Sequence, residues 1–175
     1  MKAKIILVAL ALFLGAIGYT VQAQCSADCQ CGKTLAVGNR KVADFSMIRL
    51  EAVGDIFFTQ SDRCSVRIEG PQEYVSQTTT VVKNGVLVIG YQKNNNNSKH
   101  IKLYITAPNL DNVKLQGVGS FNCREPLRSR RFDLILSGVG DVNIDNLKCN
   151  CFDHLPDYGS GHATANKNHP FCSGE

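Results

Sequence analysis

Gly117-Val118-Gly119-Ser120-Phe121-Asn122 recurs, at a 21-residue interval, as Gly138-Val139-Gly140-Asp141-Val142-Asn143. A weaker copy, Gly159-Ser160-Gly161-His162-Ala163-Thr164, follows at the same interval. Val113-x-Leu115 precedes the first copy, Leu134-x-Leu136 precedes the second, and Val142-x-Ile144 continues the alternation. A two-residue period places these apolar side chains on one face of a strand. The paired glycines mark a corner where only a residue without Cβ can turn or approach another backbone. A repeat this short buries its apolar face only by stacking on its neighbours, the logic of a solenoid. Two short strands per repeat and no helical period predict a parallel β-helix, its coils about 4.8 Å apart.

Stacking the copies builds columns. Ser120, Asp141 and His162 fall in one, a set of residue types that invites a hydrolase reading. A catalytic triad needs the histidine between serine and aspartate, and here the aspartate is in the middle. Ser and Asp after a turn glycine more commonly bond local backbone amides. Asn122, Asn143 and Thr164 form a second column, expected to be a structural amide ladder.

Upstream the chain reads as strands with a hairpin. Ile48-x-Leu50 leads into Val53-Gly54-Asp55-Ile56-Phe57, a cousin of Val139-Gly140-Asp141-Val142, and Cys64 to Ile68 alternates again. Thr78 to Val82 and Val86 to Ile89 flank Asn84-Gly85, a strong hairpin signal. Ile101-x-Leu103-x-Ile105 is a half-buried strand ended by Pro108. Asn94 to Asn97 form a loop tip with a formal sequon at Asn96-Asn97-Ser98.

Lys2, Lys4, the apolar run Ile5 to Ile17 and Val21-Gln22-Ala23 make the three parts of a secretory signal peptide. The run is too short for a spanning helix, which needs about 20 residues, so no membrane span is expected after cleavage. Residues 1–23 are therefore read as the signal, 24–39 as a Cys-containing N-terminal segment, 40–148 as the β-domain and 149–175 as an irregular, truncated or frame-shifted last coil. In that last coil a 21-residue alignment puts Pro156 and Asp157 where Ile135 and Leu136 stand.

The whole chain has 175 residues, 43% hydrophobic and 19% charged, which excludes a disordered charged tail. Fifteen Gly and fourteen Asn favour tight turns over long helices. Removing Lys2 and Lys4 takes the formal charge from +4 to +2, that is 17 basic against 15 acidic residues. No dense basic stripe marks a nucleic-acid partner; Arg124, Arg128, Arg130 and Arg131, interrupted by Glu125 and Pro126, read as a solvated loop. Eight cysteines beyond the cleavage point read first as disulfides in an oxidising compartment. Cys149-x-Cys151-x-x-His154 with His162, His169 and Cys172 matches no common zinc spacing, so neither metal nor other cofactor is expected.

With Arg40-x-Val42-x-x-Phe45-x-x-Ile48, Gly54-Asp55-Ile56, Val66-x-Ile68-x-Gly70, Asn84-Gly85-x-Leu87-x-Ile89, Ile101 to Ala107 followed by Pro108-x-Leu110, and the Gly-x-Gly-[Ser/Asp] repeats, the chain resembles the auto-transporter adhesin head GIN domain family over about Arg40 to Leu147. The resemblance implies a bacterial exported protein, periplasmic, at the outer surface or secreted, with a fold similar to right-handed β-helices. It also favours a noncatalytic adhesin-like module binding a glycan or cell-surface protein. Tyr91, Tyr104 and Asp141 are the candidate contacts; Tyr104 points outward if Leu103 and Ile105 point in. Cys151 and Cys172 are also one repeat length apart, a spacing that adjacent coils would bring within disulfide reach. The alternatives are a carbohydrate-active β-helix enzyme using Asp141 with Asp133 or Asp145, and an envelope protein that self-associates through a solenoid end.

Overall fold

A computed structural model describes residues 35–92, 100–156 and 160–167, with the side chains of 152–156 and 167 outside that description. The expected signal peptide lies outside the described residues. Twelve strands form one sheet, in chain order β1 Leu35–Arg40, β2 Met47–Leu50, β3 Gly54–Gln60, β4 Ser65–Pro71, β5 Thr78–Lys83, β6 Val86–Tyr91, β7 Ile101–Ala107, β8 Asn112–Leu115, β9 Phe121–Cys123, β10 Leu127–Leu136, β11 Val142–Pro156 and β12 Ala163–Lys167. Among the described residues one short helix, α1 (Gln72–Gln77), joins β4 to β5 and buries Tyr74 and Val75.

The all-β expectation holds, and the sheet curls until it is nearly closed. Its order is β1-β4-β7-β3-β9-β11-β10-β8-β2-β6-β5, with β12 added on β11. This order resolves into three walls. The first stacks β5, β6, β2, β8 and the C-terminal half of β10. The second stacks β1, β4, β7, β3, β9, the start of β11 and β12. The third pairs Leu127–Arg131 of β10 with Leu147–Cys151 of β11.

The sequence repeat appears directly as ladder register. Val113 stands beside Leu134, and Phe121 beside Val142, which stands beside Ala163. Val53, Val118, Val139 and Ser160 form a line of parallel bridges at the corner. A Cβ on Gly140 would lie 1.7 Å from the Gly119 carbonyl oxygen, and one on Gly119 would lie 1.9 Å from that of Gly54. Both glycines also have positive φ, 151° and 145°. The repeated glycines thus mark where one backbone rests on the next.

Hairpins alone do not describe the N-terminal half. The Asn84-Gly85 hairpin forms as expected, with φ of 51° and 75° and antiparallel β5 and β6. It returns the chain to the outer edge of β2, where β6 pairs parallel, and β7 then pairs parallel with β3. Strands β6 and β7 therefore stack outside β2 and β3, against chain order, and antiparallel β4 and β1 extend the second wall.

Two further expectations change. Arg128, Arg130 and Arg131 lie in strand β10 and not in a solvated loop. The last coil is paired one position short of the repeat in β10–β11: Leu127 stands opposite Leu147, and Leu136 opposite Pro156. Asp157 lies outside the described residues.

Alternation fills the interior. Ile48, Leu50, Leu87, Ile89, Val113 and Leu115 point in from the first wall, and Ile56, Phe58, Leu103, Ile105, Phe121 and Val142 from the second. Leu127, Phe132 and Leu147 close the third side, and all belong to one hydrophobic core. Burying each such side chain contributes about 1.5–3 kcal/mol relative to leaving it exposed.

Candidate functional site

The outer face of the second wall carries a row of planar side chains set by ladder register. Arg67 stands beside Tyr104, Tyr104 beside Phe57, Phe57 beside Asn122, and Asn122 beside Asn143. Alternation turns them outward because Ile56, Phe58, Leu103, Ile105, Phe121 and Val142 point in. The Phe57 and Tyr104 rings stack with centroids 5.3 Å apart and planes 21° apart. The Arg67 guanidinium lies 5.3 Å from the Tyr104 centroid. With neighbours across both faces, Tyr104 presents its edge and hydroxyl, not an open stacking surface. Arg67 also pairs with Glu69 two residues along its strand. Asn143 Nδ2 donates to Asn122 Oδ1 at 3.2 Å, the rung expected of the asparagine column.

Beside this row runs the acidic column, which begins one coil earlier than the repeat alone suggests. Asp55 stacks under Ser120, Ser120 under Asp141, and Asp141 under His162, by the register of the flanking pairs. Asp55 Oδ1 accepts from the Ser120 hydroxyl at 2.6 Å and from its backbone N–H at 2.9 Å. Asp141 Oδ1 accepts from the His162 N–H at 3.2 Å. Each aspartate after a corner glycine therefore holds a backbone amide of the next coil, the structural role the sequence suggested.

His100 Nε2 lies 2.5 Å from Asp55 Oδ2. Burial pushes the Asp55 carboxyl up, but the Ser120 hydroxyl, His100 and the Ser120 amide outweigh it and hold the group below its ordinary value. In Ser120–Asp55–His100 the carboxylate again stands in the middle, so the serine donates to Asp55 where a triad would need it against an imidazole. Asp141 and Asp145 lie four residues apart along the chain into β11, about 13 Å at strand rise. That exceeds the about 5–9.5 Å between glycosidase carboxylates. Asp133 sits on β10 with Arg131 Nε 3.0 Å away.

Of the three contacts expected from sequence, Tyr104 and Asp141 share this face, three strands or about 14 Å apart. Tyr91 does not: it ends β6 on the first wall, and its hydroxyl donates to the Val53 carbonyl at 3.2 Å. Burial raises the Tyr91 pKa. Phe57 and Arg67 were missed, although Phe57 ends the Val53-Gly54-Asp55-Ile56-Phe57 cousin and could have been aligned with Asn122.

Among the described residues, Cys64 and Cys123 are free thiols. Cys123 points into the core, its Sγ 3.3 Å from the Glu125 carbonyl oxygen, and burial with nearby Glu125 and Asp145 pushes its pKa up to about 11. Cys151 stands opposite Arg131 in the ladder, and Cys172 lies outside the described residues. No group of three or more His, Cys, Asp and Glu among the described residues is placed to hold a metal. No described helix is long and apolar enough to cross a membrane.

The twelve-stranded sheet with glycine corners defines an all-β domain that presents flat outer walls. Residues 44–163 match the family described as "Putative auto-transporter adhesin, head GIN domain", and the chain belongs to that family. A putative adhesin from Bacteroides fragilis is similar at 30% identity and TM-score 0.70, over 75% of this chain and 62% of that one. A putative lipid binding protein from Parabacteroides distasonis shares the fold at 15% identity and TM-score 0.57, over 71% of this chain and 63% of that one. A putative adhesin from the same organism does so at 18% identity and TM-score 0.55, over 78% and 68%. The chain thus spans under two thirds of the length of the first two relatives. No curated protein matches it.

Proposed function

We propose that the chain is an exported, noncatalytic adhesin-like module that binds a surface glycan or protein through the outer face of a right-handed parallel β-helix. The observation that carries this reading is the row Arg67–Tyr104–Phe57–Asn122–Asn143 on the second wall. It offers a guanidinium, a phenol edge and amides at strand spacing, about 4.8 Å, with no nucleophile–base pair beside them among the described residues. Such a row suits hydrogen bonding to an extended chain of hydroxyls or peptide groups laid across the strands. Tyr104 is its central contact; Asp141 and Tyr91, the other two residues expected from sequence, are set aside because their side chains bond the His162 amide and the Val53 carbonyl. Family membership and a relative called a putative adhesin support the same reading. A Cys151–Cys172 disulfide closing the last coil is part of the proposal, checked by non-reducing peptide mapping.

The test incubates the mature chain with a panel of bacterial and host polysaccharides and surface proteins, with calcium and with chelator. It scores retention and new reducing or unsaturated ends. Retention without new ends, lost in Tyr104→Ala, is expected. New ends that vanish in Asp141→Asn would replace the proposal with a glycan-cleaving enzyme.

A further inference from the structure

The third wall carries a basic strip. Arg128 on β10 and Lys148 on β11 are direct partners in a parallel ladder, and both side chains are exposed. Arg130 is exposed two residues further along β10, with Arg124 in the preceding turn. Like charges on adjacent positions of neighbouring strands repel. On the other walls an outward arginine meets a carboxylate two residues on, Arg49 with Glu51 and Arg67 with Glu69, and at the end of the third wall Arg131 pairs with Asp133. Arg128 is followed at that position by Arg130, and Lys148 by Asn150. Among the described residues, none of Arg124, Arg128, Arg130 and Lys148 makes an ion pair.

The strip is also held in place. Gln60 Oε1 accepts from the Arg128 backbone N–H at 2.9 Å, and Gln60 Nε2 donates to the Arg128 carbonyl at 3.0 Å and to that of Pro108 at 2.8 Å. One side-chain amide thus pairs with the outer edge of Arg128 as a strand would, while Lys148 occupies the other edge.

We propose that this third wall binds an anionic polysaccharide, one bearing carboxylates, sulfates or phosphates, whose charges supply the counter-ions that the fold leaves out. Charge complementarity selects a polyanion. The exposed large hydrophobic residues among those described, Leu35, Val37, Val81, Val118 and Val139, lie on β1, on β5 and at the corner. Among the described side chains the basic strip therefore has no apolar anchor for a bilayer and no aromatic ring on which a nucleic-acid base could stack. This inference stands apart from the Tyr104 face, and a ligand there could be absent without affecting it.

The experiment measures binding of the mature chain to polygalacturonate and dextran sulfate, with neutral dextran as the uncharged comparison. Vesicles of phosphatidylglycerol and phosphatidylcholine, and a single-stranded oligonucleotide, are the competing classes. Salt-sensitive binding to at least one of the anionic polysaccharides and not to dextran is expected, weakened about tenfold in Arg128→Gln/Lys148→Gln. A second pair, Lys41→Gln/Lys83→Gln, removes the same net charge from exposed positions elsewhere and is expected to change binding less than about twofold. Thermal melts accompany each variant, and Arg130→Gln repeats the test should the double variant not fold. The proposal is overturned by no binding to either polyanion, by equal losses in both double variants, or by tighter binding to the vesicles or the oligonucleotide.

Discussion

Three glycines separate two reasons why the corners cannot carry a side chain. Gly85 sits in the hairpin turn with φ of 75° and nothing within 4 Å of where a Cβ would be. Gly138 has no positive φ, but its Cβ would lie 2.0 Å from the Gly117 carbonyl oxygen. Gly140 combines both, with φ of 151° and a contact of 1.7 Å. Gly85→Ala therefore costs only the left-handed backbone, about 1–2 kcal/mol. Gly138→Ala must push two stacked backbones apart by more than an ångström. The cost is about 3 kcal/mol, the upper part of the overpacking range, because the obstacle is backbone and cannot rotate away. Gly140→Ala adds the two and weakens the Gly140 N–H to Ser160 carbonyl bond of 3.2 Å, for a total of about 4–5 kcal/mol. Urea unfolding of the mature chain and the three variants, with coincident circular dichroism and fluorescence transitions, measures all three. At about 2–4 °C per kcal/mol for a chain this size, melting temperatures rank them independently. Equal small losses for Gly85→Ala and Gly138→Ala would refute the argument, because the coils could not then rest on each other at residue 138.

Other perturbations report on single contacts. Gln60→Ala removes one side chain that satisfies the Arg128 edge twice and Pro108 once, and should cost about 1–3 kcal/mol in urea unfolding while Gln60→Glu recovers only part. Asp55 has a folded pKa below its unfolded value, so its contribution to stability is present above the unfolded pKa and lost as pH falls through the folded one. Asp55→Asn should thus flatten the decline in melting temperature on the acid side, leaving the neutral-to-alkaline profile parallel to the parent. Cys123, buried with a thiol pKa of about 11, should resist iodoacetamide at pH 8 in the folded protein and react on unfolding. Prompt labelling of the native chain at Cys123, located by peptide mass, would contradict its placement in the core.

Much of this was legible because the repeat encodes close approach. The repeat spacing, the corner glycines and the alternation of Val113, Leu115, Leu134 and Leu136 each have one local cause, and the ladder register follows them. Asn84-Gly85 was legible for the same reason: its positive φ angles are a local demand. The fixed period stops being informative where chain order and spatial order part. The Asp55 copy lies 65 residues before Ser120 because β4, α1, the β5–β6 hairpin and β7 intervene, so the fixed period does not reach it and only its Gly-Asp likeness marks it. Nothing local reveals that β6 and β7 stack outside β2 and β3. The first half of strand β10 was hidden because Arg128 to Arg131 reads as polar throughout; only the pairing of Leu127 with Leu147 makes it a wall. The Gln60 clamp joins side chain and backbone from distant parts of the chain and leaves no mark in either local sequence.

The candidate site separates along the same line. The most repetitive polar residues, Asp55, Ser120, Asp141 and His162, attract attention as chemistry, yet the bonds of this column run largely between neighbouring coils. Asp55 holds Ser120 and Asp141 holds the His162 amide, so the repeat keeps them for a structural reason. A group committed to holding the next coil cannot be exchanged for a ligand without loosening the stack. Recognition is better placed on outward positions that the repeat does not fix. On the second wall these are Arg67, Tyr104 and Phe57, which belong to the out-of-order coils and the strand added to them. On the third they are Arg128, Arg130 and Lys148, where the coil needs only that the backbone pair. Substitutions at these six positions should change binding far more than stability, whereas substitutions in the aspartate column should do the reverse. A survey in which Asp141→Ala abolished binding without lowering the melting temperature would break that division and return the column to the contacts.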